Sequence, residues 1–232
     1  MRHDLPDGAV TFLFTDIESS TKLLHQLGAE SYAAALAEHR DIVRRLEQAR
    51  ELVEESHEIH ERYHDVWGFA QTVGTLGAVE RDAGNESRAY ELVSESARLA
   101  EQAGVPWWQA GMLVELSALS LEAGRTDDAE SKAREGLALA QQLHDYGGQV
   151  FGVGVLACVA GEHGEVDRAG RLWGAIEDHR VGAPLGGWLR HRSSCERHIR
   201  RLTHVGLEAA LARGRELALD KAVDLALNTQ KA

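Results

Sequence analysis

Cysteine, proline and long apolar runs are scarce in this chain, and each shortage excludes a class of protein. The 232 residues include two cysteines, far apart in sequence, and three prolines. Two thiols so placed form neither a disulfide framework nor a zinc signature. No apolar run approaches the ~18 residues of a membrane span, and the residues after Met1 lack the apolar stretch of a secretory signal. The sequence therefore predicts a cytoplasmic protein with no membrane partner.

Positive charge is also scarce. Lysine and arginine number 25 against 37 aspartate and glutamate residues, giving a formal net charge of −12, and such a chain repels nucleic acid as a whole. One predicted helix departs from this balance because basic side chains crowd it, among them Arg190, His191, Arg192, Arg197, Arg200 and Arg201. This basic face either pairs with acidic neighbours in the chain, faces solvent, or docks a partner.

Glycine and proline are both absent from the residues between Ala29 and Gly68. Apolar residues recur through this stretch at helical spacing. It therefore predicts one very long helix, or two helices with a break. Two are favoured, because residues 49–56 match residues 89–96 and so belong to a partial first repeat.

A repeat of 40 residues organises the rest of the chain. Gly84, Gly124 and Gly164 stand at this interval, and apolar and small residues coincide in register around them. Glycine suits a helix C-terminus. We therefore predict helix pairs near 65–82 and 86–103, 107–123 and 126–143, and 147–162 and 166–179. A turn at 181–187 and helices near 188–203, 206–215 and 219–228 should follow.

The repeat also predicts how the helices pack. Small residues at 77, 89, 117, 129, 157 and 169 should let the two helices of a pair approach closely. A unit of this size cannot bury its apolar face alone, so neighbours must stack into a helical-hairpin solenoid. Such stacks present a binding or scaffolding surface more often than a catalytic pocket. We expect a protein or peptide partner on the concave face.

One β-strand is predicted, near the N-terminus. Residues 9–17 are rich in β-branched and aromatic types, and they follow the turn signal Pro6-Asp7-Gly8. The predicted fold is therefore all-α, a helical-hairpin solenoid with a short N-terminal β-strand segment.

The N-terminal residues carry a recognisable motif. Leu5-Pro-Asp-Gly8, followed by Val10-Thr-Phe-Leu-Phe-Thr-Asp-Ile-Glu-Ser-Ser-Thr21, resembles the opening strand and first helix of bacterial class III nucleotide cyclases. The match continues through Ala37-Glu-His-Arg-Asp41. The resemblance extends over the first 44 residues only, far less than a whole cyclase domain.

The cyclase resemblance implies a metal and phosphate site. It implies that Asp16 and the backbone carbonyl of Ile17 hold catalytic Mg²⁺, and that Ser19, Ser20 and Thr21 face the nucleotide phosphates. A carboxylate at a strand end beside a helix N-terminus suits a metal-bound polyphosphate. The alternative is an inherited strand end and helix cap, in which the hydroxyls serve the start of the helix.

The same resemblance is incomplete. Ser19 stands where the family usually has glycine, and residues 54–60 stand where a second metal-binding aspartate in a Gly-Asp-Gly turn belongs. The purine-recognising residues, and the asparagine and arginine that stabilise the reacting phosphate, have no counterpart. Phosphoryl chemistry needs these groups together. We therefore expect no catalytic residue and no required cofactor, and the cap is the favoured role of Asp16.

Residues 45–232 resemble a second family. The 40-residue units, Ala169-Gly-Arg-Leu-Trp-Gly-Ala-Ile-Glu177 and the segment 214–227 are similar to the tetratricopeptide-type C-terminal region of large bacterial ATPase and LuxR-type regulators. No phosphate-binding glycine loop or helix-turn-helix accompanies them. The resemblance implies an all-α, tetratricopeptide-like helical-hairpin solenoid. We predict a vestigial cyclase segment at 1–44, tetratricopeptide-like helical repeats at 45–180 and a C-terminal helical cap at 181–232.

Two further clusters have a functional and a structural interpretation. His57, His60, Glu61 and His64 have the spacing of a helical metal site, but a solvated polar face is favoured because no enclosing loop accompanies them. Trp107 and Trp108 could line a ligand groove.

Packing is the favoured role of these tryptophans. The repeat places Trp107 in register with Trp67. Trp173 and Trp188 are predicted to be structural as well.

The leading functional prediction is a noncatalytic helical-repeat module that binds or scaffolds proteins in a bacterial signalling or transcriptional regulator. The alternative is a nucleotide cyclase-related protein, a phosphorus-oxygen lyase by class, whose missing half-site comes from another chain. A third possibility is that the N-terminal strand pairs with a cyclase sheet elsewhere.

Overall fold

The structure, a computed structural model, describes residues 46–179, 187–202 and 206–228. Every regular element in these residues is an α-helix. The all-α prediction is confirmed for them. The predicted strand at 9–17, the predicted segment 1–44 and most of the predicted turn at 181–187 lie outside the described residues.

The helices follow one another at an almost constant step. Helix α1 is described over residues 46–62. The next are α2 (Val66–Asp82), α3 (Glu86–Gln102), α4 (Pro106–Glu122), α5 (Thr126–Gln142), α6 (Tyr146–Glu162) and α7 (Val166–Ile176). The C-terminal helices are α8 (Gly187–Arg200), α9 (Leu207–Arg215) and α10 (Leu219–Leu227). Predicted and observed ends agree closely, except that α7 ends at Ile176 rather than near 179 and α8 at Arg200 rather than near 203.

The turns from α1 to α7 share one backbone form. Each spans three residues, and the third residue donates its N–H to a carbonyl five residues earlier, as Asn85 does to Glu80 at 2.8 Å. The middle residue donates to the carbonyl three residues earlier, as Gly84 does to Arg81 at 3.0 Å. This pair of bonds is the Schellman ending, which needs a left-handed residue in the middle position.

The left-handed position recurs every 20 residues, half the interval that the sequence indicates. It is glycine at 84, 104, 124 and 164, with φ between 67° and 84°. His64 and His144 occupy the same position with φ of 55° and 54°. The backbone therefore repeats every 20 residues. The sequence does not show this period fully, because histidine replaces glycine at positions 64 and 144.

Close helix approach follows the predicted small residues. A Cβ added to Gly77 of α2 would lie 2.8 Å from Val93 Cγ2 of α3, so a larger residue there would force the Val93 side chain or the two helices to shift. Ser96 links three helices, because its hydroxyl donates to the Ala70 carbonyl at 2.6 Å and accepts from Trp108 Nε1 at 2.9 Å. The stacked-hairpin prediction is confirmed at these contacts.

Helix α6 forms the centre of the largest apolar core. It contacts α4, α5, α7, α8 and α10, and it carries no charged residue between Tyr146 and Gly161. A helix that is apolar all round has to be covered on every side. Even so, no helix in the described residues is long and apolar enough to cross a membrane.

The last two helices pack onto the hairpins by different means. Helix α9 lies on α7 through glycines: a Cβ on Gly174 would collide with the Leu211 carbonyl oxygen, and one on Gly170 would lie 2.6 Å from Ala210 Cβ. Helix α10 is held at its C-terminal end by two arginines. Arg134 donates to the Leu227 carbonyl at 2.7 Å and Arg168 to the Ala226 carbonyl at 2.9 Å, where a cation suits the helix dipole.

Candidate protein-binding surface

The first helices of the hairpins, α2, α4 and α6, form one side of the stack, which we call the A-helix face. Helix α8 lies against this face. Its anchor is Trp188, a fully buried side chain whose ring is 5.6 Å from the Phe151 ring and 6.2 Å from the Trp173 ring, centroid to centroid. A Cβ on Gly154 of α6 would lie 2.5 Å from the Trp188 ring, so glycine opens the slot that holds the indole.

A buried polar cluster joins α8 to α4. His191 places Nδ1 2.9 Å from Glu122 Oε1 and Nε2 3.2 Å from Glu115 Oε1. His191 and Glu115 are 1% and 2% exposed, so this contact is shielded from water. The His191 ring also stacks on Phe151, at 5.8 Å between centroids and 22° between planes.

Arginines extend the cluster to the end of α2. The buried Arg81 guanidinium donates to Glu115 Oε1 and, through Nε, to Asp82 Oδ1 at 3.0 Å. Arg190 of α8 donates to the same Asp82 oxygen at 2.7 Å and to the Arg81 carbonyl at 3.3 Å. Helix α8 therefore contacts all three helices of the A-helix face.

The pKa shifts follow from burial working against charge pairing. Burial alone lowers the pKa of His191, but its hydrogen bonds to Glu115 and Glu122 outweigh burial and raise the pKa to about 9. Burial raises the pKa of both carboxyls, yet His191 outweighs it, and for Glu115 Arg81 adds to the effect, so each carboxyl pKa lies below its ordinary value. The arrangement holds an imidazolium between two carboxylates.

One atom of the cluster lacks a hydrogen-bond partner. Glu115 Oε2 is buried with none, and it lies so close to Gly187 that a Cβ there would collide with it. Glycine at the first position of α8 therefore lets the helix pass over the carboxylate.

The sequence-predicted site residues are not gathered at this face. Asp16, Ile17, Ser19, Ser20 and Thr21 lie outside the described residues, so the implied Mg²⁺ and phosphate site remains a prediction. Within the residues that the structure describes, no three histidine, cysteine, aspartate or glutamate side chains are placed to hold a metal ion.

The histidines near the end of α1 have separate roles. His57 packs its ring 4.2 Å from the Phe69 ring. His60 Nδ1 lies 2.9 Å from Asp65 Oδ2, and the other oxygen of Asp65 caps α2 by accepting from the Gly68 N–H at 3.0 Å. His64 is the left-handed residue of the turn. The favoured solvated face is only partly observed, because His57 and His60 are partly buried.

Direct contacts show the role of Trp108 and of the first half of the basic cluster on α8. Trp108, rather than Trp107, packs edge-on against Trp67 at 5.5 Å, and Trp107 is 44% exposed. On α8, the first half of the basic cluster pairs within the chain, through Arg190, His191 and Arg192, whose guanidinium donates to the Glu177 carbonyl. Arg197 and Arg200 are exposed.

Sequence reasoning did not single out Glu115, Glu122 or Arg81. One feature of the sequence does point to this cluster: Glu115 is the single charged residue between Pro106 and Leu121 of α4. A lone charge in an apolar helix needs a buried partner. The identity of that partner, 76 residues further along the chain, is visible only in the structure.

Compared with protein-family models, curated proteins and solved structures, the chain matches none of them. Its class is therefore defined by its own geometry. The described residues form a stack of helical hairpins with helix α8 of the same chain laid against the A-helix face.

Proposed function

We propose that this chain is a noncatalytic protein-binding module, of the tetratricopeptide-like kind used by bacterial signalling and transcriptional regulators, whose A-helix face receives an amphipathic helix. The observation that carries the proposal is the position of α8. Binding of a helix along an apolar face is a common mode of peptide recognition, and here the chain supplies such a helix itself.

The contacts of α8 resemble those of a bound peptide. A buried tryptophan sits in a slot opened by glycine, which is the kind of anchor that dominates binding energy at interfaces. Two basic residues, Arg190 and His191, meet Asp82, Glu115 and Glu122 on the face.

These contacts specify the chemistry of a partner. It is a helix with an aromatic anchor followed, two and three residues later, by basic side chains. The overall charge of −12 favours approach of such a basic helix. A partner helix of this type would compete with α8 for the face.

The proposal is tested by supplying α8 in trans. The full chain carrying Trp188→Ala and His191→Ala has a weakened α8, and a fluorescently labelled peptide of residues 187–202 serves as the probe. We expect the variant to bind this peptide with a Kd below about 100 μM, measured by fluorescence anisotropy, and the wild-type chain to bind it much more weakly.

Two controls make that experiment decisive. A peptide with Trp188→Ala should not bind, and the full chain with Arg197→Ala should behave as wild type because Arg197 is exposed. If the double variant keeps its helical circular dichroism and still does not bind the peptide, the A-helix face is not a helix-binding surface.

A second candidate function rests on the sequence around Asp16 and is cyclase-related. The segment 1–44 resembles the start of a class III nucleotide cyclase. The sequence has no residue that corresponds to the second metal-binding aspartate of that family. We expect no formation of cyclic AMP or cyclic GMP from ATP or GTP with Mg²⁺ or Mn²⁺. Sustained turnover that Asp16→Ala abolishes would establish the cyclase function instead.

A further inference from the structure

The two cysteines of the chain meet where α8 crosses α6. Cys158 of α6 and Cys195 of α8 are 0% and 4% exposed, and both are free thiols. The Cys158 sulfur lies 3.9 Å from the Cys195 carbonyl oxygen. A disulfide needs Cα atoms about 4.4–6.8 Å apart, and a sulfur this close to its partner's main chain is within reach of that geometry.

We propose that Cys158 and Cys195 form an oxidative modification site, at which a peroxide converts the two thiols into a disulfide that fastens α8 to α6. The bond would join two helices that are separated in sequence by α7 and the segment before α8. The inference depends on how α8 packs and does not require the proposed binding function.

A cavity beside the two cysteines has room for the oxidant. Its volume is about 160 Å³, and both cysteines line it together with Glu122, Glu162 and Ser194. A single water needs only about 10–15 Å³ on this measure, so a peroxide molecule fits. Carboxylate and hydroxyl groups in the wall provide the polar partners that such a molecule needs.

The two thiols are electronically unequal. A hydrogen bond from Cys158 lowers the pKa of Cys195, and the nearby His191 charge adds to this effect, while burial opposes it. The pKa of Cys158 is raised by the same contact and by burial. His191 lies one turn before Cys195 on α8 and lines the same cavity, so its positive charge favours the Cys195 thiolate. Because the thiolate is the reactive form, Cys195 is the attacking sulfur and Cys158 the resolving one.

The reaction balances in two steps. The Cys195 thiolate attacks one peroxide oxygen, the O–O bond breaks, and the departing hydroxide takes the Cys158 proton to leave as water. The Cys158 thiolate then attacks the sulfenic acid sulfur of Cys195 and the S–O bond breaks. The departing hydroxide takes up the proton that Cys195 released on ionising and leaves as a second water. The thiol pair loses two electrons and two protons, and hydrogen peroxide is reduced to two waters.

The product would hold α8 on the A-helix face covalently. If the face is the proposed binding surface, oxidation closes it and reduction allows α8 to be displaced. This consequence rests on the proposed function, whereas formation of the bond does not. Failure of the peptide experiment would therefore leave the disulfide inference intact.

The test uses the full wild-type chain and hydrogen peroxide. After treatment, the protein is unfolded, alkylated with iodoacetamide and weighed by intact mass spectrometry. We expect the mass to fall by two hydrogens with neither cysteine alkylated, and dithiothreitol to restore two alkylation sites. The oxidised protein should also melt about 5–15 °C higher, because a cross-link between helices constrains the unfolded chain.

Single-cysteine variants check the order of attack. With Cys158→Ser, a dimedone adduct should form on Cys195, whereas Cys195→Ser should give less adduct on Cys158. Full alkylation of both cysteines after peroxide treatment of the wild type, or a disulfide between two chains on a non-reducing gel, would overturn the proposal. Equal dimedone labelling of the two variants would overturn the assigned roles.

Discussion

At the scale of single residues, the turns depend on one backbone conformation. His64 and His144 adopt the left-handed region that glycine occupies at positions 84, 104, 124 and 164. A residue with a Cβ pays a steric cost of about 1–2 kcal/mol in this region, although histidine tolerates it better than most residues do. The two histidines therefore reduce the stability of the turns they form.

We predict that His144→Gly stabilises the protein by about 0.5–1 kcal/mol, since relief of strain exceeds the added freedom of the unfolded chain. The His144 side chain is exposed, so little packing is lost. Urea unfolding monitored by circular dichroism measures the change.

The matched variant is Gly124→Ala in an equivalent turn. A Cβ on Gly124 meets no atom within 4 Å, so only the backbone opposes the substitution. It should destabilise the protein by about 1 kcal/mol. A stabilising Gly124→Ala, or a destabilising His144→Gly, would show that the left-handed turn does not limit stability.

At the scale of elements, α8 differs from the hairpin helices in what holds it. The hairpins pack through apolar and small residues, whereas α8 combines the Trp188 anchor with a buried charge contact to α4 and an exposed one to α2. A buried charge is costly when its partner is removed. The docking of α8 therefore depends on the completeness of the polar cluster.

We predict that His191→Ala lowers the free energy of unfolding by about 3 kcal/mol, because it removes one partner of the buried Glu115 and the stacking on Phe151. Arg197→Ala, on the exposed side of the same helix, should change it by less than about 0.5 kcal/mol. Denaturant titration of both variants measures the change in the free energy of unfolding. Equal losses in the two variants would contradict a special role for the polar cluster.

Elements also mark the limit of sequence-based prediction. Helices α2 to α6 were predicted almost residue by residue, because capping, turn glycine and apolar spacing act within one or two turns of helix. The place of α8 was not predicted, since the pairing of His191 with Glu115 joins residues that no local pattern connects. The apolar sequence of α6 requires cover on every side, but it does not identify the helix that provides it.

At the scale of the whole molecule, stability depends on pH through the buried cluster. His191 has its pKa raised from 6.5 to about 9 on folding, so its stabilisation is fully present below pH 6.5 and is lost as the pH rises through 9. Glu115 and Glu122 have lowered pKa values, so their contribution is present above their ordinary value of 4.5 and is lost as the pH falls through the folded pKa.

We predict that the wild-type chain loses up to about 3 kcal/mol of stability between pH 6.5 and pH 10 through His191. The His191→Ala variant should lack this part of the change. The difference between the two stability profiles, measured by urea unfolding at each pH, isolates the histidine from other groups that titrate. Parallel profiles would mean that His191 is not held as an imidazolium.

The sequence by itself determined that this chain forms helical hairpins in a regular stack, because helix ends and apolar spacing are local properties written within each repeat. Tertiary structure alone decided that α8 lies on the A-helix face, that His191 sits between two carboxylates, and that the two cysteines meet. Those contacts join residues that are far apart in the sequence and become neighbours only when the helices pack. Which side chains pair is then determined by burial and by the attraction between opposite charges.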